Sequence, residues 1–241
     1  MEDHLWRLLE QAQGKLIAVQ ADFATAKHRY NELKESSESR VCHWEWSSSL
    51  PRYEMDPLYF LNDTARRGRV TRKQPASIKH KHQYGFDSSG RLVVGRDHSE
   101  FPGQFYEEFF AYGPSEITSF LYQYGANKEP INCRRLALAD GIPISYHSRA
   151  TYGAQSHVYV LEAGLIRYFC SLHAPDNREP FGGSGELALR GAEDIELWRH
   201  LPNGGRELAF SGSRTCYNTL VGIAVAGANN SFKPKPLRGS A

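Results

Sequence analysis

The chain has 241 residues, 40% hydrophobic and 23% charged, which is enough apolar material for one folded core and too little net charge for wholesale disorder. Its 29 Lys and Arg nearly cancel its 27 Asp and Glu to a formal +2, so bulk charge does not make it a nucleic-acid binder and only local patches remain for that role. There is no apolar run near about 18 residues and no basic signal region, and Cys42, Cys133, Cys170 and Cys216 are too scattered for a zinc knuckle or a disulfide framework. The expectation is a cytoplasmic protein with reduced thiols, no cofactor and no membrane contact.

The first predicted element is a helix over 3–36. Leu5, Leu9, Ala12, Leu16, Val19, Phe23, Ala26, Tyr30 and Leu33 alternate four and three apart, the spacing of a seam along one helix face. Asp3 can cap its start, and Ser36 and Ser37 mark its end. The seam holds Ala and aromatics where a dimeric coiled coil would carry β-branched residues and Leu, so the helix is expected to lie on a sheet of its own chain as part of a monomer.

Residues 37–79 read as a connector. Arg66, Arg67, Arg69, Arg72, Lys73, Lys79 and Lys81 follow one another with no acidic residue between Asp63 and Asp87, a local positive patch able to meet phosphate or an acidic protein. No aromatic lies between Thr64 and Gln83 to stack a base, which favours a solvated face over nucleic-acid binding.

From residue 80 to 228 the texture is that of an antiparallel β-meander. Short runs rich in Tyr, Phe, Val, Ile and Leu flank turns at Ser88-Ser89-Gly90, Gly113-Pro114, Asp140-Gly141, Ala163-Gly164 and Asn203-Gly204-Gly205. Asp140-Gly141 is the sharpest of these, since both residues tolerate the positive φ of a two-residue primed turn. The pattern predicts about ten strands. Apolar residues fall on both faces of FYEEFFAY, so both sides of the sheet should be covered, whether it is an open curved sheet or a partly closed barrel. The Gly-rich run FGGSGE reads as a loop interrupting the ladder, TCYNTLVGIAVAGA as a last strand or a segment packed under the sheet, and 229–241 as a disordered tail. The fold class is therefore mainly β with a long N-terminal helix.

Tyr84-Gly85-Phe86-Asp87-Ser88-Ser89-Gly90-Arg91-Leu92 resembles the YD repeat of Rhs-type proteins, in which an aromatic strand ends in Asp, turns at Gly and resumes with Arg and a hydrophobic residue. The residues give a physical reason: Asp87 can bond backbone in the turn, Gly90 suits the left-handed position, and Arg91 opens the return strand. The resemblance spans roughly residues 80 to 211, with Leu138-Ala139-Asp140-Gly141 and Tyr159 to Leu165 as degenerate copies. Small stand-alone chains resembling this repeat occur as bacterial immunity proteins encoded beside polymorphic toxins. The resemblance thus implies a partner that is a cognate toxin domain.

No motif for catalysis stands out. Gly183-Ser184-Gly185-Glu186-Leu187-Ala188 matches G-x-G-x-x-A without a βαβ setting, no G-x-S-x-G elbow occurs, and Glu107-Glu108 should point to opposite faces of their strand. A set such as His147, Glu107 and Asp140 has only its residue types to recommend it. His80, His82 and His98 could share one face of the first hairpin and hold zinc if Asp87 pairs with Arg91 around a three-residue loop, and a one-residue change of register would dissolve that site. The expected function is non-enzymatic protein binding through a wide aromatic sheet, with Tyr106, Phe110, Tyr112, Tyr122, Tyr124, Arg134 and Arg135 as contacts. The alternatives are a barrel around a small apolar ligand and nucleic-acid binding by the basic connector.

Overall fold

In the computed structural model, which describes residues 2–61, 67–162, 165–190 and 194–213, the N-terminal stripe becomes two helices, α1 (Glu2–Ala26) and α2 (Tyr30–Glu38). The predicted single helix breaks at 27–29. There the Ala26 carbonyl accepts a hydrogen bond from the buried Tyr122 hydroxyl at 2.8 Å and one from the Arg29 amide at 3.0 Å, so the end of α1 is satisfied by the sheet and by a local turn. Among the described residues no helix is long and apolar enough to cross a membrane.

The rest is one antiparallel sheet of thirteen strands. They are β1 (His43–Ser47), β2 (Val70–Thr71), β3 (His82–Phe86), β4 (Leu92–His98), β5 (Phe105–Tyr112), β6 (Glu116–Tyr122), β7 (Pro130–Ala139), β8 (Ile142–Ala150), β9 (Gly153–Glu162), β10 (Leu165–Pro175), β11 (Phe181–Arg190), β12 (Asp194–His200) and β13 (Arg206–Ser213). From β13 back to β3 each strand pairs with its chain neighbour, and β1 then β2 complete the other edge. The sheet is open: β13 and β2 are its two edges and do not meet, which removes the barrel and its enclosed ligand.

Two turns show why the meander runs as it does. Asp140 (φ 49°) and Gly141 (φ 78°) form the primed turn between β7 and β8. At the β3–β4 turn, Asp87 Oδ1 accepts from the amides of Ser89 and Arg91, both at 2.9 Å, while Gly90 takes φ 77°. The Ala163-Gly164 turn, the TCYNTLVGIAVAGA segment and the tail lie outside the described residues.

Three strands exceed the expectation of about ten. β1 and β2 come from the connector, and β11 is the Gly-rich run that reads as a loop. Its glycines serve packing: a Cβ on Gly185 would lie 2.4 Å from the Trp198 carbonyl oxygen and 2.6 Å from the Phe169 ring. The backbone of β11 thus approaches its neighbours as only glycine allows.

Both faces are covered. On one, Val19, Ala26 and Leu33 pack on Phe109, Phe120, Tyr122 and Cys133, Ala12 on Val158 and Cys170, and Leu16 on Ala154 and Leu172. The helical seam therefore packs in cis, as expected. On the other face Met55, Leu58 and Leu61 meet Tyr84, Phe110, Leu136, Tyr146 and Tyr159. Residues 51–61 form a strap across the sheet, so this part of the connector belongs to the core.

Candidate functional site

Adjacent residues on a strand face opposite ways, and β7 uses this to tie down both covers. Arg134 points to the strap: its guanidinium is bonded by Glu54 and Glu108, and Nε lies 3.2 Å from Ser119 Oγ. Arg135 points to α1, 2.5 Å from Asp22 and 3.2 Å from Glu116. Burial raises the Glu54 carboxyl above its usual range although Arg134 opposes this. Burial opposes the charge on Arg134 too, but Glu108 and Glu54 outweigh it and hold the guanidinium charged. Further along the strap Asp56 lies 3.5 Å from His157; burial would raise its carboxyl, and the imidazole lowers it on balance.

The expected contact residues divide accordingly. Phe110 and Tyr122 are buried in the two cores, Tyr112 donates its hydroxyl to the Leu92 carbonyl at 2.8 Å, and Arg134 and Arg135 are engaged in the ion pairs above. Phe110, Tyr122, Arg134 and Arg135 thus serve the packing of the two covers, and Arg134 also lines a cavity beside the strap. Tyr106 and Tyr124 remain at the surface as an edge-to-face pair 5.0 Å apart, with Tyr124 38% exposed.

The histidine cluster is not assembled. Register pairs His82 with Asp97, so His82 and His98 project from opposite faces. His82 Nδ1 lies 3.6 Å from Asp97, His98 contacts Gln83 at 3.2 Å and stacks on Trp46, and His80 occupies the preceding turn with φ 52°. A bulge between Gly85 and Phe86 shifts the pairing from the register that a plain three-residue loop would give. Among the described residues no group of three or more His, Cys, Asp or Glu is placed to hold a metal.

Other candidates have structural employment. Glu107 accepts from the Tyr30 hydroxyl at 2.7 Å and from Arg96 at 2.8 Å on the helix face, while Glu108 serves Arg134 on the strap face. His147 sits between two serine hydroxyls and Asp140 makes the β7–β8 turn, so these two and Glu107 do not act as one set. In the basic stretch Arg67 lies over the Phe60 ring at 4.5 Å, Arg72 is 4.0 Å from Glu45 and Lys79 is 3.5 Å from Glu100; Arg66 lies outside the described residues.

What the sheet does present is a trough along the ends of its central strands. Three cavities of about 330, 630 and 550 Å³ lie in series. The first two share Tyr152 and Ala150, and the second and third share Tyr106 and Ile131. Tyr152, at the β8–β9 turn, is 86% exposed and Phe181 is 49% exposed. Tyr53 and Tyr59 of the strap line the far end. Tyr152 escaped the sequence reading because TYGAQ registers only as a turn; an aromatic between two turn-forming residues was the available signal. No family model matches the sequence, and neither a curated protein nor a solved structure matches it.

Proposed function

We propose that this chain is a non-enzymatic protein-binding module, an immunity-like protein that binds and neutralises a cognate toxin domain in the cytoplasm. The observation that carries the binding part is the exposed Tyr152 standing between two cavities that it lines, on a turn held by two long paired strands. A large aromatic with few rotatable bonds on a rigid frame loses little entropy when it is covered, and such residues anchor protein interfaces. Tyr106 and Tyr124 extend the same rim. The toxin part leans on the resemblance of the Asp87 turn to the YD repeat.

Capture with tagged chain from lysate of the source organism, washed at high salt, should retain one stoichiometric protein. Adding pure chain should then abolish that protein's toxic activity. The Y124A/Y152A double variant should lose the partner by at least about 30-fold, the scale of one hot spot, while keeping the wild-type circular dichroism. Undiminished capture by that variant would remove the rim from the interface, and a captured protein whose activity is untouched would remove neutralisation.

A further inference from the structure

The cavity between Tyr152 and Phe181 has polar chemistry that rim packing alone does not use. Asn132, Ser148, Gln155 and His173 line it together with Arg178. The first four rise from one face of β7 to β10, since register sets Gln155 opposite both Ser148 and His173, and Arg134, two residues on from Asn132, opposite Ser148. Asn132 Oδ1 is buried and has no hydrogen-bond partner among the described residues. An amide oxygen left so is a desolvated acceptor without compensation, which a ligand donating an N–H would supply. Arg178 lies over the Phe181 ring at 5.3 Å in the β10–β11 turn. Its guanidinium forms no ion pair with a described residue, and among the described residues no Asp or Glu lines the cavity. His173 stacks on Phe181 with ring centroids 5.0 Å apart, and burial, then the charge of His157, lowers its pKa and favours the neutral ring.

A cationic guest would meet a guanidinium and no countercharge here. An anion with a neighbouring N–H donor fits each group: Arg178 takes a carboxylate in the planar, two-pronged manner guanidinium favours, and Asn132 Oδ1 takes the N–H. A peptide C-terminus carries those two groups side by side, and its last side chain would pack between Tyr152 and the Phe181–His173 stack. We propose that this cavity is a carboxylate-binding site that takes the free C-terminus of a peptide. Its volume of about 330 Å³ lies at the small end of ligand sites and suits one terminal residue. The inference rests on the protein-binding reading, with the partner supplying its C-terminus, but its test needs no partner, so the two can fail separately.

The full chain is titrated by calorimetry or amide NMR with acetyl-Ala-Phe bearing a free carboxylate, with the same dipeptide as its carboxamide, and with 3-phenylpropionate. The free acid should bind at least about tenfold tighter than the carboxamide and than phenylpropionate. Arg178→Ala, a change in an exposed turn, should erase the preference for acid over carboxamide with the melting temperature unchanged. Asn132→Leu should erase the preference for the dipeptide over phenylpropionate. Equal affinity for acid and carboxamide, binding of neither, or an Arg178→Ala protein that still discriminates would overturn the carboxylate site. Phenylpropionate binding as tightly as the dipeptide would assign the cavity to a small free acid and overturn the peptide terminus.

Discussion

His147 offers the most direct test of the packing beneath α1. It projects from β8 onto the helix face, 2% exposed, with Nδ1 2.5 Å from Ser156 Oγ and Nε2 2.9 Å from Ser145 Oγ. A neutral imidazole suits this place, donating through one nitrogen and accepting through the other. Burial lowers its pKa to about 4, helped by the charges of Lys15 on α1, His157 on β9 and Arg135 on β7. In the unfolded chain the same group titrates near about 6.5. Between those values the unfolded state binds more protons, so stability is whole above about 6.5 and drains as pH falls towards 4. The loss from this group is roughly 1–2 kcal/mol at pH 5.5 and roughly 2–3 kcal/mol at pH 4.5, a large part of a typical stability of about 5–15 kcal/mol. Urea melts of wild type and His147→Gln at pH 7, 5.5 and 4.5 isolate the effect. The glutamine keeps a donor and an acceptor for the serines and has no proton to gain, while every other titrating group is common to both proteins. Wild type should lose roughly 2–3 kcal/mol more than the variant between pH 7 and 4.5. Parallel pH dependences would refute a buried neutral His147.

Three further changes probe the frame. Arg134→Met leaves Glu54 and Glu108 facing each other without their cation and should cost about 3–5 kcal/mol in urea unfolding, and adding Glu54→Gln and Glu108→Gln should restore much of it. Gly185→Ala drives a methyl against the Trp198 carbonyl and the Phe169 ring and should cost about 1–3 kcal/mol, whereas Gly14→Ala, in α1 with open space around it and helical φ, should stabilise by about 0.5–1 kcal/mol. Burial pushes the thiols of Cys133 and Cys170 up to about 12 and 11, so in the native protein a thiol reagent should modify exposed Cys42 before these two, with peptide mass mapping showing Cys133 and Cys170 labelled only on unfolding.

The parts of this fold that sequence reading reached are those whose cause is local. A positive φ at Asp140-Gly141 and an Asx-type turn at Asp87 are demands of four or five consecutive residues, and the heptad stripe of α1 is a demand of one helix face. The parts it missed have distant causes. FGGSGE looks like a loop until Phe169 and Trp198 are seen to need the space that Gly185 leaves. The strap carries Met55, Leu58 and Leu61 three apart, too short a run to read as an element, and its polar anchors lie far along the chain, Glu54 against Arg134 and Asp56 against His157. The same gap explains the contact residues. Once the strap is invisible, Phe110, Tyr112 and Arg134 look available for a partner, when a segment of their own chain already covers them.

The strap also bears on why the trough is a credible place for binding. A sheet this wide can twist and flex along its length, and its hydrophobic contacts alone would tolerate small slides of 51–61 over the surface. Arg134 removes that freedom, because its guanidinium is satisfied only when Glu54 arrives over Glu108 and Ser119, and a slipped strap would leave a buried charge unpaired. Arg135 sets α1 in the same way through Asp22. One pair of neighbouring arginines on β7 therefore fixes the position of both covers relative to the central strands. The residues that line the trough come from all three: Phe23 and Ala24 from α1, Tyr53 and Tyr59 from the strap, and Tyr106, Ile131 and Tyr152 from the sheet and its turn. The shape of the trough is thus decided by ion pairs, one of which, Arg134 with Glu54 and Glu108, itself lines the third cavity, and loss of Arg134 should weaken partner binding as well as stability.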